Sequence, residues 1–355
     1  MRLLITGACG FVGSSLALYL QTHLSDIEIT GLDNFSRPGS EMNRTRLRAA
    51  GVRVVHGDVR CESDLHGIPP TDWVIDAAAN ASVLAGVDGE TSPRQLFEQN
   101  LLGTINTLEY CRRHGAGLIL LSSSRVYSLT ALRRVPLVAC PDGFRLADGA
   151  AERGLTWAGI SESYPVGAPA TLYGTSKFAS EQLALEYSGT YGFPVWVNRC
   201  GVMSGAGQFG QPAQGIFAWW IHRWFQRKPL KYIGFGGRGL QVRDCLHPVD
   251  LAGLIAMQLG DSGAADATRV FNVSGGTPNA CSLAQLSTWC ESHLGPHTVT
   301  ADAADRVNDV PWLVLDSQEV SHRWGWKVSY SLERIFSELA SHAQEHPEWL
   351  TLSEG

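Results

Sequence analysis

The sequence predicts an α/β fold: a doubly wound parallel Rossmann sheet with a smaller C-terminal α/β domain. Three observations lead there. Strand-like and helix-like segments alternate through the first half of the chain. A Gly-x-x-Gly-x-x-Gly turn (Gly7, Gly10, Gly13) separates the first strand from the first helix. Beyond about Arg199 the alternation breaks into glycine- and glutamine-rich loops.

The elements follow in order. Arg2–Thr6 is a short apolar strand and Phe11–Leu24 a helix. Ile27–Leu32, Arg53–His56 and Trp73–Asp76 are further strands. Ser92-Pro93 supplies a cap and a first-turn proline for a long helix, Arg94–His114. Leu118–Ser122 is an apolar strand ending in serines. Leu172–Tyr191 is helical and Pro194–Asn198 a strand. Apolar strands between helices suit a parallel sheet covered on both faces. The division expected is a first domain over 1–199, with an insertion at about 129–168, and a second over 200–355, interleaved with the first near 242–260. In the second, Gly201–Gly215 and Gly234–Gly239 read as loop and turn. Ile216–Gln226 reads as an aromatic helix, and Glu345–Gly355 as a plain terminal tail.

The chain has 355 residues, enough for one large domain or two intimate ones. Its net charge is -6, with 44% hydrophobic and 17% charged residues, so no basic surface for nucleic acid is advertised. No apolar run is long enough to span a bilayer. Met1–Leu20 has an arginine near its start, but three glycines interrupt its apolar stretch, unlike a secretion signal. A cytoplasmic protein is expected. The 8 cysteines form no CxxC pair, so neither disulfides nor a metal site are expected.

A strand, spaced glycines and a helix make the geometry that receives a pyrophosphate. The first glycine permits the tight turn. The second lets backbone approach phosphate, and the third lets helix pack on strand. The helix N-terminus adds free N–H groups and a favourable dipole. Asp33 follows the second strand, where an acid bonds adenosine ribose hydroxyls and disfavours a 2′-phosphate. NAD is therefore expected over NADP, although an arginine such as Arg37 can pair with a 2′-phosphate. Asp58, after the third strand, stands either near the adenine or as a turn residue. Ala77, Ala78 and Ala79 suit either a backbone passing close to a ligand or close helix packing.

Tyr173 and Lys177 stand at i and i+4, on one helix face. An ammonium beside a phenol stabilises phenolate and lowers its pKa from about 10. Phenolate can take a hydroxyl proton while hydride leaves the same carbon. Ser122-Ser123-Ser124 end a core strand at the edge where open sheets bind ligands, so one hydroxyl there could bond the reacting oxygen. Each signal has a plain structural alternative: a chance pair on a solvated face, or serines that satisfy strand-end backbone. The glycine turn and the Tyr/Lys pair together point to a redox enzyme.

Along nearly its whole length the chain resembles the extended short-chain dehydrogenase/reductases, specifically their nucleotide-sugar epimerases and dehydratases. GACGFVG, LDNFSRPGS, GDVR, NLLGT, SSSRVY, YGTSK, QVRDCLHPVDL and RVND carry the resemblance, in family order. DNFSRPGSE, SVLAG, LLSSSRVYSL, NRCGVMSGAGQFG and KYIGFGGRGLQVRDCLHP look most like the family's epimerases that act at C2 of a CDP-linked hexose. The resemblance implies catalysis by Ser123, by Tyr173 as base and by Lys177 as its partner. It implies an NAD site built from Gly7, Gly10, Phe11, Val12, Gly13, Asp33, Asn34, Ser36, Arg37, Asp58, Val59, Ala77, Ala78, Ala79 and Asn100, with Tyr173 and Lys177. It implies that Ser124, Val202, Gln208, Arg243 and Arg306 face a nucleotide-diphosphate sugar, the arginines gripping the diphosphate by bidentate bonds. Without the resemblance, both arginines would read as surface or interdomain salt bridges. A homo-oligomer, dimer or tetramer, goes with the family, and neither nucleic acid nor membrane is an expected partner.

Three departures refine this. The Asp-Glu pair that sugar dehydratases carry after their catalytic Thr is Ser124-Arg125 here, so dehydration is not expected. The Arg-x-Phe-Asn segment of many 4-epimerases reads Arg199-Cys200-Gly201-Val202, so an asparagine contact to diphosphate is missing. About 45 residues separate Tyr127 from Tyr173, long for a loop, which suggests a substrate lid or an oligomer contact over Leu129–Ala168. Trp219, Trp220 and Trp224 are expected in core or subunit packing. The activity implied is NAD-dependent epimerisation through a transient ketone, with NAD tightly held and regenerated. A 4-epimerase, a net dehydrogenase or ketoreductase, and a catalytically silent NAD-binding protein are the alternatives.

Overall fold

A computed structural model of the chain describes every residue except 151, 169, 213, 262, 264–267 and 355. Seven parallel strands form its central sheet: β1 (Arg2–Thr6), β2 (Glu28–Asp33), β3 (Arg53–His56), β4 (Trp73–Asp76), β5 (Gly117–Ser123), β6 (Val195–Cys200) and β7 (Val270–Val273). Their order is β7-β6-β5-β4-β1-β2-β3. The winding direction therefore reverses between β1 and β4, where open sheets of this kind bind ligands. β4, β5 and β6 are buried along their whole length, which explains the apolar runs Trp73–Ile75, Leu118–Leu121 and Val195–Val197 within them.

One face of the sheet packs on α1 (Phe11–His23) around Leu3, Ile5, Leu16 and Leu20. The other packs on Gly103–His114 and α2 (Leu172–Tyr191) around Leu4, Val74, Leu108, Leu118 and Ala184. α3 (Pro248–Leu259) lies beside α1 and adds Leu251 and Ile255 to that core. The sheet is thus not contained in residues 1–199. The chain leaves it after β6 and returns from Pro248 to supply α3 and β7. Val242–Leu246 does not join that return; it pairs with Val202–Met203, Ala280–Ser282 and Trp312–Leu313 in a smaller sheet. Ile216–Phe225, Leu283–Leu294 and Leu332–Glu345 complete this second region. Trp220 and Trp224 sit in its core, and Trp219 packs at the edge.

Three expectations are corrected or refined. The helix over Arg94–His114 is broken: Pro93–Phe97 is α-helical, Glu98–Leu102 a π-helix and Gly103–His114 α-helical again. Ser92 does form the expected capping box, with Gln95. The wide turn carries Asn100 inward, fully buried. Second, the segment over 129–168, expected as a lid or an oligomer contact, is packed against the second region. Its helix Leu129–Arg134 and two hairpins pack Leu132, Leu155 and Ile160 against Val310, Trp312 and Val314. Among its described residues none lines the cavity described below. Third, Glu345–Gly355 is not a plain tail. Trp349–Glu354 is helical, and Trp349 is buried against Phe209.

Candidate active site

A cavity of about 510 Å³ runs along the carboxyl ends of β1, β2, β4 and β5 and reaches into the second region. Its floor is the glycine turn. Gly7 has φ +65°, and a Cβ there would lie 2.8 Å from the Ala78 Cα. A Cβ on Gly13 would lie 2.2 Å from the Gly7 carbonyl oxygen. Both positions therefore exclude any side chain, and the turn presses on the strand end at Ala77–Ala79. Ala77, Ala78 and Ala79 line the cavity, as the reading of a backbone passing close to a ligand requires. Phe11 and Val12 line it from the first turn of α1.

Asp33, at the end of β2, accepts hydrogen bonds from the Cys9 N–H (2.8 Å) and the Phe35 N–H (2.7 Å). Burial raises its pKa, and these backbone bonds pull against that rise. Asp33 thus shapes the glycine turn as well as facing the cavity. Asp58 accepts from Arg60 (2.7 Å) and from the Asn34 amide (2.9 Å). Its carboxyl is held down at about 2, chiefly by the Arg60 hydrogen bond. Val59 and Ser36 complete this wall. The Arg37 guanidinium donates to the Phe209 carbonyl oxygen in the second region. Arg37 still lines the cavity from that anchor. The side-chain-free cradle at Gly7 and Gly13 and the acid at the end of β2 fit NAD.

Asn100 is the exception among the predicted cofactor residues. It lies behind the cavity wall, donating to the Asn80 carbonyl (3.0 Å) and to Ser176 Oγ (3.1 Å), and accepting from the Asn80 N–H (2.8 Å). It positions Asn80, which does line the cavity and which sequence reasoning missed.

Ser123, Tyr173 and Lys177 are all buried and all line the cavity. The sequence brings them together by interlocking β5 with α2. Thr171 caps α2 by accepting from the Gly174 N–H at 2.8 Å. A Cβ on Gly174 would lie 2.1 Å from the Arg125 carbonyl, so only glycine lets the helix come this close to the end of β5. Burial pushes the Tyr173 phenol above its ordinary value, while a hydrogen bond with Ser123 and the charge of Arg125 pull it down. This reverses the lowering expected from Lys177, because desolvation outweighs the charges. Burial also lowers the Lys177 pKa, opposed by Asp76, Cys200 and Glu181. Beneath the pair, Glu181 accepts from Ser122 and from Arg199 (2.7 Å).

Ser124, Val202, Gln208, Arg243 and Arg306 line the same cavity. Gln208 is fixed by bonds from Ser204 Oγ (2.8 Å) and to the Met203 carbonyl (2.8 Å). Arg243 forms the ion pair that the plain reading allowed, with Asp309 at 2.6 Å, and still faces the cavity. Arg306 donates to the Pro212 carbonyl at 2.7 Å. Arg125 was not among the expected site residues. It lines the cavity too, and its one sequence signal was the departure from the dehydratase pattern. Among the described residues no group of three or more His, Cys, Asp or Glu could hold a metal ion, and no helix is long and apolar enough to cross a membrane.

The sequence profile of the NAD dependent epimerase/dehydratase family matches residues 3–274. The chain belongs to that family. Its resemblance to the nucleotide-sugar epimerases and dehydratases is borne out, and it is an NAD-dependent enzyme of this carbohydrate-modifying class. CDP-paratose 2-epimerase of Salmonella typhi is 28% identical over 344 residues, covering 93% of this chain and 96% of that protein. UDP-glucuronate 4-epimerase 1 of Arabidopsis thaliana is 26% identical over 353 residues, covering 94% of this chain and 74% of that protein. The crystal structure of UDP-glucose 4-epimerase from Thermus thermophilus, a complex with NAD, superimposes with a TM-score of 0.77 at 25% identity, over 97% of this chain and 99% of that one.

Proposed function

We propose that this family member inverts C2 of a CDP-linked hexose of the CDP-paratose type, through a transient 2-ketone. The observation that carries the reading is the meeting of Ser123, Tyr173 and Lys177 on a cavity floored by the glycine turn, with Ser124-Arg125 where elimination would need an acid and a base. The Tyr173 phenolate takes the C2 hydroxyl proton. Ser123 holds the same oxygen by a hydrogen bond. Lys177 keeps a positive charge under the phenolate. Bound NAD supplies a reversible acceptor for the hydrogen on C2. The ketone turns within the cavity and offers its other face. Tyr173 then returns its proton to the new alkoxide, and the epimer leaves with no net change of oxidation state. Arg306 and Arg243 hold the diphosphate, Arg243 with one edge already on Asp309.

The choice of C2 and of cytidine is supported by the likeness to CDP-paratose 2-epimerase across nearly the full length of both chains. A 4-epimerase is the second reading, favoured by the near-equal identity to the UDP-glucuronate and UDP-glucose enzymes. Val202, in place of an asparagine, speaks against it. The test is proton NMR of CDP-paratose, CDP-glucose and UDP-glucose, each incubated with the NAD-loaded protein and no added cofactor. Inversion at C2 of a CDP sugar supports the proposal. Inversion at C4, or conversion of none of the three, overturns it.

A further inference from the structure

Four arginines line the cavity: Arg37, Arg125, Arg243 and Arg306. Three are anchored by the protein. Arg37 donates to the Phe209 carbonyl, Arg243 to Asp309 and two main-chain carbonyls, and Arg306 to the Pro212 carbonyl. Arg125 differs. Its Nη1 is buried and makes no hydrogen bond. A buried charged donor left unmade is costly, so such a group calls for an explanation.

The backbone around it is fixed. The Arg125 N–H donates to Ser123 Oγ at 3.1 Å, and its carbonyl is pressed against Gly174. The side chain therefore starts beside Ser123 and the first turn of α2, which carries Tyr173. The charges acting on it are Arg243 and Arg306, which repel it, and Asp309 and Tyr173. Asp309 cannot neutralise it alone, since its single negative charge is already paired with Arg243 at 2.6 Å. Burial and Arg243 push its pKa down to about 10, which leaves it a cation at neutral pH.

We infer that Arg125 is a substrate-contacting, specificity-determining residue whose Nη1 donates to an oxygen of the sugar ring beside the carbon served by Tyr173. This deepens the proposed nucleotide-sugar function and rests on it. A guanidinium only donates, so the sugar must present an acceptor there: a hydroxyl lone pair, the ketone oxygen or a carboxylate. A sugar without oxygen at that place would leave the donor unpaired and be rejected. The start of the side chain next to Ser123 favours the sugar over the diphosphate.

The test compares NAD-loaded wild type with Arg125→Met and Arg125→Lys. CDP alone should bind all three with the same Kd within about twofold, while CDP-glucose should lose roughly tenfold or more in Arg125→Met and recover part in Arg125→Lys. Loss of kcat/KM for the converted sugar should exceed that of CDP binding by the same margin. Without ligand, Arg125→Met should unfold at or above the wild-type midpoint, because an unpaired buried cation is gone. A parallel loss of CDP affinity would move Arg125 to the diphosphate and overturn the inference, as would unchanged CDP-glucose affinity or a lowered midpoint. If wild type converts none of the sugars, the proposed epimerase function falls, and the two binding measurements still judge Arg125.

Discussion

Trp349 stacks on Phe209, with ring centroids 5.1 Å apart and planes within 11° of parallel. The Trp349 indole N–H also donates to the Gln208 carbonyl at 3.0 Å. The Phe209 carbonyl accepts from Arg37, and the Phe209 ring lies so close to Gly39 that a Cβ there would come within 2.6 Å. The C-terminal helix thus clamps the loop after β2 across the cavity. Truncating a buried tryptophan to alanine costs about 3–5 kcal/mol. Trp349→Ala should therefore lower the thermal midpoint, and it should also speed NAD release by roughly tenfold, a share of about 1.4 kcal/mol. Release of bound cofactor, followed by dilution into a scavenging dehydrogenase, checks this. A lowered midpoint with NAD release unchanged would leave the clamp a purely structural contact.

Tyr173→Phe removes the ionisable hydroxyl of that side chain and little volume. Turnover should fall by about 10²- to 10⁴-fold, the usual contribution of a general base. The NAD content of the purified protein should stay at the wild-type level. Initial rates and cofactor analysis of the same preparation give both numbers.

Glu181 and Arg199 form a buried ion pair at 2.7 Å, with side chains only 0% and 6% exposed. Glu181→Ala strands the guanidinium in the interior and should cost about 3–5 kcal/mol in urea unfolding. Glu181→Met combined with Arg199→Met should regain much of that loss, since no unpaired charge remains. A double variant as unstable as the single one would contradict this.

Burial holds His222, His247 and His342 down at about 4. His247 accepts from the Val249 N–H through Nδ1 (3.2 Å), which suits the neutral ring. Unfolded histidines titrate near 6.5, so between about 4 and 6.5 the unfolded chain binds more protons than the folded one. Stability is then fully present above pH 6.5 and is lost as pH falls toward 4. The slope is at most about 1.4 kcal/mol per pH unit for each histidine. The thermal midpoint should be flat from pH 8 to 7 and fall below 6.5. A midpoint unchanged at pH 5 would count against buried neutral histidines.

Much of this was legible from the chain. β3, β4 and α2 fall at the predicted residues because their apolar runs, caps and end glycine are local signals. The glycine turn and the Tyr173/Lys177 pair, which line one cavity, were legible because each depends on residues a few positions apart. What stayed hidden depends on distant partners. The π turn at Glu98–Leu102 follows from Asn100 finding Asn80 and Ser176. The C-terminal helix depends on Phe209, 140 positions from Trp349. The segment over 129–168 reads as a loop until Val310–Leu315 supplies its core. Arg125 stood out only by what it replaces, since no local pattern marks an unpaired guanidinium.

The central claim is reversible oxidation at C2, and deuterium at that carbon tests it most directly. CDP-paratose carrying deuterium at C2 is incubated with the NAD-loaded protein in ordinary water, and the product is read by NMR and mass spectrometry. The account predicts an epimer inverted at C2 that keeps its deuterium, and no inversion with Tyr173→Phe. Inversion with the label washed out to solvent would mean deprotonation at carbon instead, and would contradict the account.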